Sequence, residues 1–407
     1  MSNSSKIKNQ TLIKLGFHGS YRPEDVTFLM QVDDIQPTDV EEKEYLIQSG
    51  KMHYSQMISV ENPPTEEHMK HFHHAFEQGA LRLAEEVQKI GNSLLQRFAQ
   101  QPIVLISLVR AGVPLGVLLK HYLSNQRSVP QTSNDQNVNI QNVNIQNHDV
   151  HHYGISIIRD RGIDFAALQA IIEQHGAENI VFVDGWTGKG AICKELTQNL
   201  HNIPELFDEN WQIPRLVTLS DLGGYSWLSA STDDWLIPFG ILGSVISGLT
   251  SRTILKQSID RADAQADCYN SQKWHSCLIY NHLQPYDLSV DFIEKILKLI
   301  KLNPVTEPAD WNNQIRLAQQ QSSSETIAWI AEHYSVENIN RIKASIAEAT
   351  RAVLRRVPER ILLRNDTDPN VQLLLHFAHE RNIPVEILGS QLGPYQAVTL
   401  IKKVEKK

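Results

Sequence analysis

Apolar and polar positions along the chain fall into three regimes. Residues 1–100 are polar with helical spacing, and a loop is expected around Asn62–Pro64. From 101 to 260, short, mainly apolar runs alternate with helical patterns. The runs Ile103–Leu108, Ile180–Val183 and Leu216–Leu219 show no polar alternation. Such runs suit strands covered on both faces, as in a parallel sheet. From Ser335 onward the pattern predicts a helix over 339–356, a strand over 360–363, a helix over 371–381, a strand over 384–387 and a basic tail. The fold class expected is α/β: residues 1–100 form a helical elaboration, 101–334 a parallel-sheet core, and 335–407 a small layered α/β domain. Within the core, 124–149 is low in complexity. Asn137–Gln141 is repeated as Asn142–Gln146. Asn/Gln tracts bury little, so this insert is expected to be mobile.

Two segments carry candidate chemistry. After Ile180–Val183 the chain passes Asp184, Gly185, Thr187, Gly188, Lys189 and Gly190 before a helix at Ala191. Ligands of parallel sheets bind outside the carboxyl ends of strands, and the free amides at a helix start favour phosphate. A carboxylate there can accept from sugar hydroxyls. A Walker A loop would need glycine at Val183 and Ser or Thr at Gly190, so that motif fails; the glycine spacing also fails the dinucleotide fingerprint. The second segment runs from Ile103–Leu108 through Arg110, Ala111 and Gly112 into a helix opened by Pro114. Arg110 could neutralise a leaving anion there.

The Asp184 loop resembles the phosphate loop of type I phosphoribosyltransferases, and Arg110–Gly112 resembles their pyrophosphate-receiving turn. The resemblance implies that Asp184 holds the ribose of phosphoribosyl pyrophosphate (PRPP), that Gly185 and Thr187–Gly190 hold its 5′-phosphate, and that Arg110, Ala111 and Gly112 hold its pyrophosphate. Mg²⁺ would arrive on the substrate, a base-like acceptor would complete the reaction, and no metal ligand of the protein's own is assigned. The loop departs from that family in having one acid and a short gap. Arg159 and Arg161, at the end of an expected strand over 153–158, could clamp the transition state.

Longer stretches resemble a second, bacterial family associated with tellurite resistance: Phe17–Leu29, His152–Asp164, Trp235–Arg252 and Ala347–Pro358. Its members join a phosphoribosyltransferase domain to a Pelota-type RNA-binding domain (an L7Ae-like fold) and carry the name cysteine protease StiP. The resemblance implies RNA as a partner, with Arg351, Arg355 and Arg356 meeting its phosphates. Charge agrees in direction: residues 335–407 hold 12 Lys/Arg and 8 Asp/Glu, in a chain of net charge −8. The function expected is therefore that of a PRPP-using transferase. The alternatives are a non-catalytic nucleotide sensor coupled to RNA and, more remotely, a thiol protease. A thiol protease needs a cysteine paired with a histidine, and the chain offers Cys193, Cys268 and Cys277, with His275 nearby in sequence.

Composition narrows the setting. At 407 residues and 41% hydrophobic content, the chain can fill two or three cores. No apolar run is long enough for a membrane span, the start lacks a signal pattern, and three cysteines fit a reducing cytoplasm. A homo-oligomer is compatible with the sequence. His68, His71, His73 and His74 are expected on a solvated helix face, with a zinc site at His68, His71 and His74 as the alternative. Asp233 and Asp234 are expected to cap the helix that follows them, with Mg²⁺ binding as the alternative.

Overall fold

The computed structural model describes residues 13–99, 101–128, 150–255 and 274–403. Its centre is a parallel sheet. The strands are β1 (Thr27–Phe28), β2 (Ile103–Leu108), β3 (Val150–Ile155), β4 (Ile180–Val183), β5 (Trp186–Thr187), β6 (Leu216–Asp221) and β7 (Leu228–Ser231). Their order is β1-β3-β2-β4-β6-β7, with β5 beside the end of β6, and every pairing is parallel. β2, β4 and β6 are buried at every position. That explains why β2 and β4 are almost wholly apolar: both faces of the sheet are covered, so no position faces water.

Helices cover the sheet. They are α1 (Val40–Gln48), α2 (Glu66–Arg97), α3 (Val113–Ser128), α4 (Phe165–His175), α5 (Ala191–Leu200), α6 (Ser289–Leu302) and α7 (Asn313–His333). α2 starts with a Thr65 cap on the His68 amide and buries Leu83, Val87, Ile90 and Leu94 at the spacing of one helix face. The larger core joins this face to α3 and α6; a second core on the other side of the sheet holds α4 and α5 residues such as Leu168 and Leu196.

A second sheet follows. β8 (Ile342–Ala344), β9 (Pro358–Leu363), β10 (Val385–Ile387) and β11 (Ala397–Ile401) lie in the order β8-β11-β9-β10, flanked by α8 (Ile346–Arg355) and α9 (Gln372–Glu380). The continuous helix expected over 339–356 is thus corrected. Ile342–Ala344 pairs antiparallel with Val398–Leu400, and Ser345 takes φ of 99° before α8 begins. Pairing with a strand more than fifty residues on overrides the local helical spacing. The strand expectations over 360–363 and 384–387 match β9 and β10. Residues 124–128 complete α3, and the repeat in the insert lies outside the described residues.

Candidate functional site

The chain runs from β2 to β3 on one side of the sheet and then to β4 on the other side of β2. The sheet therefore changes direction between β2 and β4, and a crevice opens there at the strands' carboxyl ends. The two turns singled out in the sequence meet at this point. A Cβ on Gly112 would lie 2.1 Å from the Val183 carbonyl oxygen, and one on Gly185 would lie 3.1 Å from the Ala111 carbonyl oxygen. Glycine is required at Gly112 because the backbones of the two turns touch. Gly190, at φ of 70°, lets the chain turn left-handed into α5 with its Cα against the Tyr225 ring.

The second sheet roofs this crevice. Asp234, after β7, accepts the Ile346 amide at 2.9 Å and the Gln396 amide at 2.8 Å. It caps α8 of the C-terminal unit rather than the single turn that follows it in sequence, while Asp233 pairs with Arg82. The Tyr395 hydroxyl donates to the Gly188 carbonyl at 3.0 Å. Lys189 donates to the Ile339 and Ile342 carbonyls at 2.6 and 2.7 Å. Between roof and floor lies a cleft of about 1190 Å³.

Every residue named as a PRPP ligand except Gly112 and Gly185 lines this cleft, as do Arg159, Arg161, Arg351, Arg355 and Arg356. Gly112 and Gly185 pack the backbone just behind it. Several of these side chains are already engaged. Thr187 donates to Asp221, which also accepts the Tyr225 and Ser226 amides. Arg110 forms an ion pair with Glu61 at 2.9 Å and donates to the Thr250 carbonyl at 3.1 Å. Arg355 meets the same Glu61 at 3.6 Å, and Arg356 grips Glu44. Arg159 reaches Asn340 at 3.1 Å, Arg351 lies over the Trp186 ring, and Arg161 is exposed. The three C-terminal arginines thus face inward, into the cleft, and not onto an outer helix face.

Charge dominates the cleft. Twelve lysines and arginines line it against four carboxylates. Burial and then the neighbouring Lys343 hold Lys189 down at about 7. Burial likewise lowers Lys343 and Lys43 to about 8, and burial followed by Arg110 lowers Arg355 to about 9. The Arg355 side chain keeps 37% of its area open, so these shifts belong to a walled, wet cleft and not to a dry core. Burial would raise Glu61, but Arg110 and Arg355 more than reverse it, to about 2. Asp184 accepts the Gly185 amide at 2.8 Å, and burial raises it to about 7.

Of the two described cysteines, Cys193 is at the cleft's lining and Cys277 is not. Cys193 sits in the first turn of α5, a position that can activate a thiol. Here it is buried, donates to the Tyr225 carbonyl at 3.0 Å, and is raised to about 12 by burial and by Asp221. Cys277 is buried and raised to about 12 as well. His275 is locked in the core by Ser156 at 2.7 Å, and its amide donates to Asp164. Among the described residues, no histidine is hydrogen-bonded to either sulfur. Cys268 lies outside them. No helix among the described residues is long and apolar enough to cross a membrane.

Comparison with known proteins decides between the readings of the sequence. Residues 321–403 match the PELOTA RNA binding domain. The protein "Cysteine protease StiP" from Acinetobacter baylyi (strain ATCC 33305 / BD413 / ADP1) is 49% identical over 398 residues, covering 98% of this chain and 97% of that one. The expectation of a PRPP-using transferase is overturned by these matches: both the relative and the family model carry a protease description. The structure supplies a physical reason. The loop offers one carboxylate, which burial raises to about 7, well above the usual carboxylate range; its threonine is tied to Asp221 and its lysine to the C-terminal unit. Residues 19–297 match the model described as "Tellurite-like stress resistance cysteine protease StiP", and the chain belongs to that family.

Proposed function

We propose that this chain hydrolyses peptide bonds through a cysteine thiolate, as the names of its family and relative describe. The observation that carries the reading is the 49% identity to a protein of that name over nearly the whole of both chains. A thiolate would attack the scissile carbonyl, a histidine would manage the proton, and water would release the acyl-enzyme. Burial, which raises both thiols, argues against Cys193 and Cys277 as that nucleophile. Cys268 remains, and we assign it the role. Hydrolysis of fluorescein-labelled casein, blocked by iodoacetamide, is the expected result; no hydrolysis by reduced, folded protein would defeat the reading.

A second function is favoured by the charge of the cleft. The match to an RNA-binding domain and the inward-facing Arg351 and Lys343 support single-stranded RNA as its occupant. Phosphates would replace the missing counter-charges, with binding weakened by salt. They would also stabilise the protonated forms of Lys189, Lys43 and Lys343, which otherwise lose protons from about 7 upward. Proton uptake on binding means that affinity falls as pH rises. Fluorescence anisotropy with a labelled oligoribonucleotide should show weaker binding at pH 9 than at pH 6.5. Equal affinity at both would place RNA away from these lysines.

A further inference from the structure

Four side chains from distant parts of the chain converge where α9 crosses the start of α2. Glu67 and His71 lie one turn apart on α2, and His376 and Glu380 lie one turn apart on α9. Side chains four apart share a helix face, so each helix presents one imidazole and one carboxylate together. The His71 Nε2 is 3.7 Å from the Glu67 Oε1, and the His376 Nε2 is 3.5 Å from the Glu380 Oε1. The two imidazole rings face each other with centroids 4.7 Å apart. Donor atoms of Glu67, His71 and His376 all lie within 4.8 Å of one another. In a tetrahedral zinc site with bonds of about 2.1 Å, neighbouring donors sit roughly 3.4 Å apart. Those three donors need only small side-chain movements to reach that value, and Glu380 stands beside His376 as the fourth.

Other contacts select which side chains are available. The His68 Nε2 meets the Ile241 carbonyl at 3.2 Å, and its ring packs edge-on against Phe377. The His74 Nε2 is bonded to Gln78. His71 differs: its Nε2 is buried and has no hydrogen-bond partner. Lys70 pairs with the Oε2 of Glu67 and leaves Oε1 facing His71.

We propose that Glu67, His71, His376 and Glu380 form a Zn²⁺ site that clamps α9 of the C-terminal unit onto α2. Its donors are two imidazole nitrogens and two carboxylate oxygens, a set that tetrahedral zinc accepts. Because the ligands come from two units, the metal fixes the roof of the cleft to its floor. The site is independent of the assignment of Cys268.

Zinc titration into chelator-stripped full-length protein, followed by calorimetry, tests the proposal. Alkylating the thiols beforehand removes cysteine as a competing ligand. One Zn²⁺ per chain is expected, with a raised melting temperature and slower hydrogen exchange in both 66–74 and 372–380. His71→Asn and His376→Asn should each weaken zinc binding by about 100-fold or more. The metal-free variants should melt where the metal-free parent melts, since both histidines are partly exposed. Failure of the alkylated parent to bind zinc would overturn the proposal, as would undiminished binding by the double variant.

Discussion

Cys268→Ser should abolish proteolysis, whereas Cys193→Ser and Cys277→Ser should each keep most of it. Removing a catalytic nucleophile typically costs several orders of magnitude in rate, because the acyl-enzyme can no longer form. Cys193 and Cys277 behave as small apolar residues: each is buried, with its thiol raised to about 12. The thiolate fraction of such a group at neutral pH is negligible. Serine at Cys193 can retain the bond to the Tyr225 carbonyl. Casein hydrolysis by the three purified variants, each checked for folding by circular dichroism, reads the outcome. Activity surviving in Cys268→Ser would contradict the assignment.

The second large effect is expected at Asp234. The residue is 7% exposed, and its carboxyl accepts amides from Ile346, the first residue of α8, and from Gln396, just before β11. Asp234→Ala leaves two buried N–H groups without an acceptor, at a cost of about 2–4 kcal/mol. Asp234→Asn keeps an acceptor oxygen and should lose less. Burial raises the Asp234 pKa to about 7, well above its unfolded value. The stability this group contributes is thus fully present below about pH 4 and is lost as pH rises towards and through 7. The Asn variant removes that titration. Urea unfolding at pH 5 and pH 8 should show a smaller pH dependence for Asp234→Asn than for the parent. An unchanged midpoint in Asp234→Ala would mean that these bonds do not hold the roof.

What was legible in the sequence follows from how local each cause is. β2 and β4 were readable because burial on both faces leaves almost wholly apolar runs, and β6 from its apolar start at Leu216–Leu219. The crevice was readable because Gly112 and Asp184 mark two strand ends, and the fold brings those ends together. β1 was hidden: Thr27–Phe28 is two residues long and is defined only by pairing with Tyr153–Gly154. β8 was hidden for the same reason, since its partner is β11. The role of Asp234 could not be read from its neighbours, because the helix it caps begins more than a hundred residues later. His71 looked like part of a solvated face until His376 arrived from the far end of the chain. Function misled in a specific way. A parallel-sheet crevice with glycines and an acid admits many chemistries, and the fold does not choose among them.

Timed alkylation tests the central claim most directly. Folded, reduced protein is treated with iodoacetamide, and the loss of casein hydrolysis is compared with the modification of each cysteine by mass spectrometry. The account predicts that activity falls in step with modification of Cys268, while Cys193 and Cys277 react only after denaturation. Loss of activity in step with Cys193 or Cys277, or full activity with Cys268 alkylated, would contradict it.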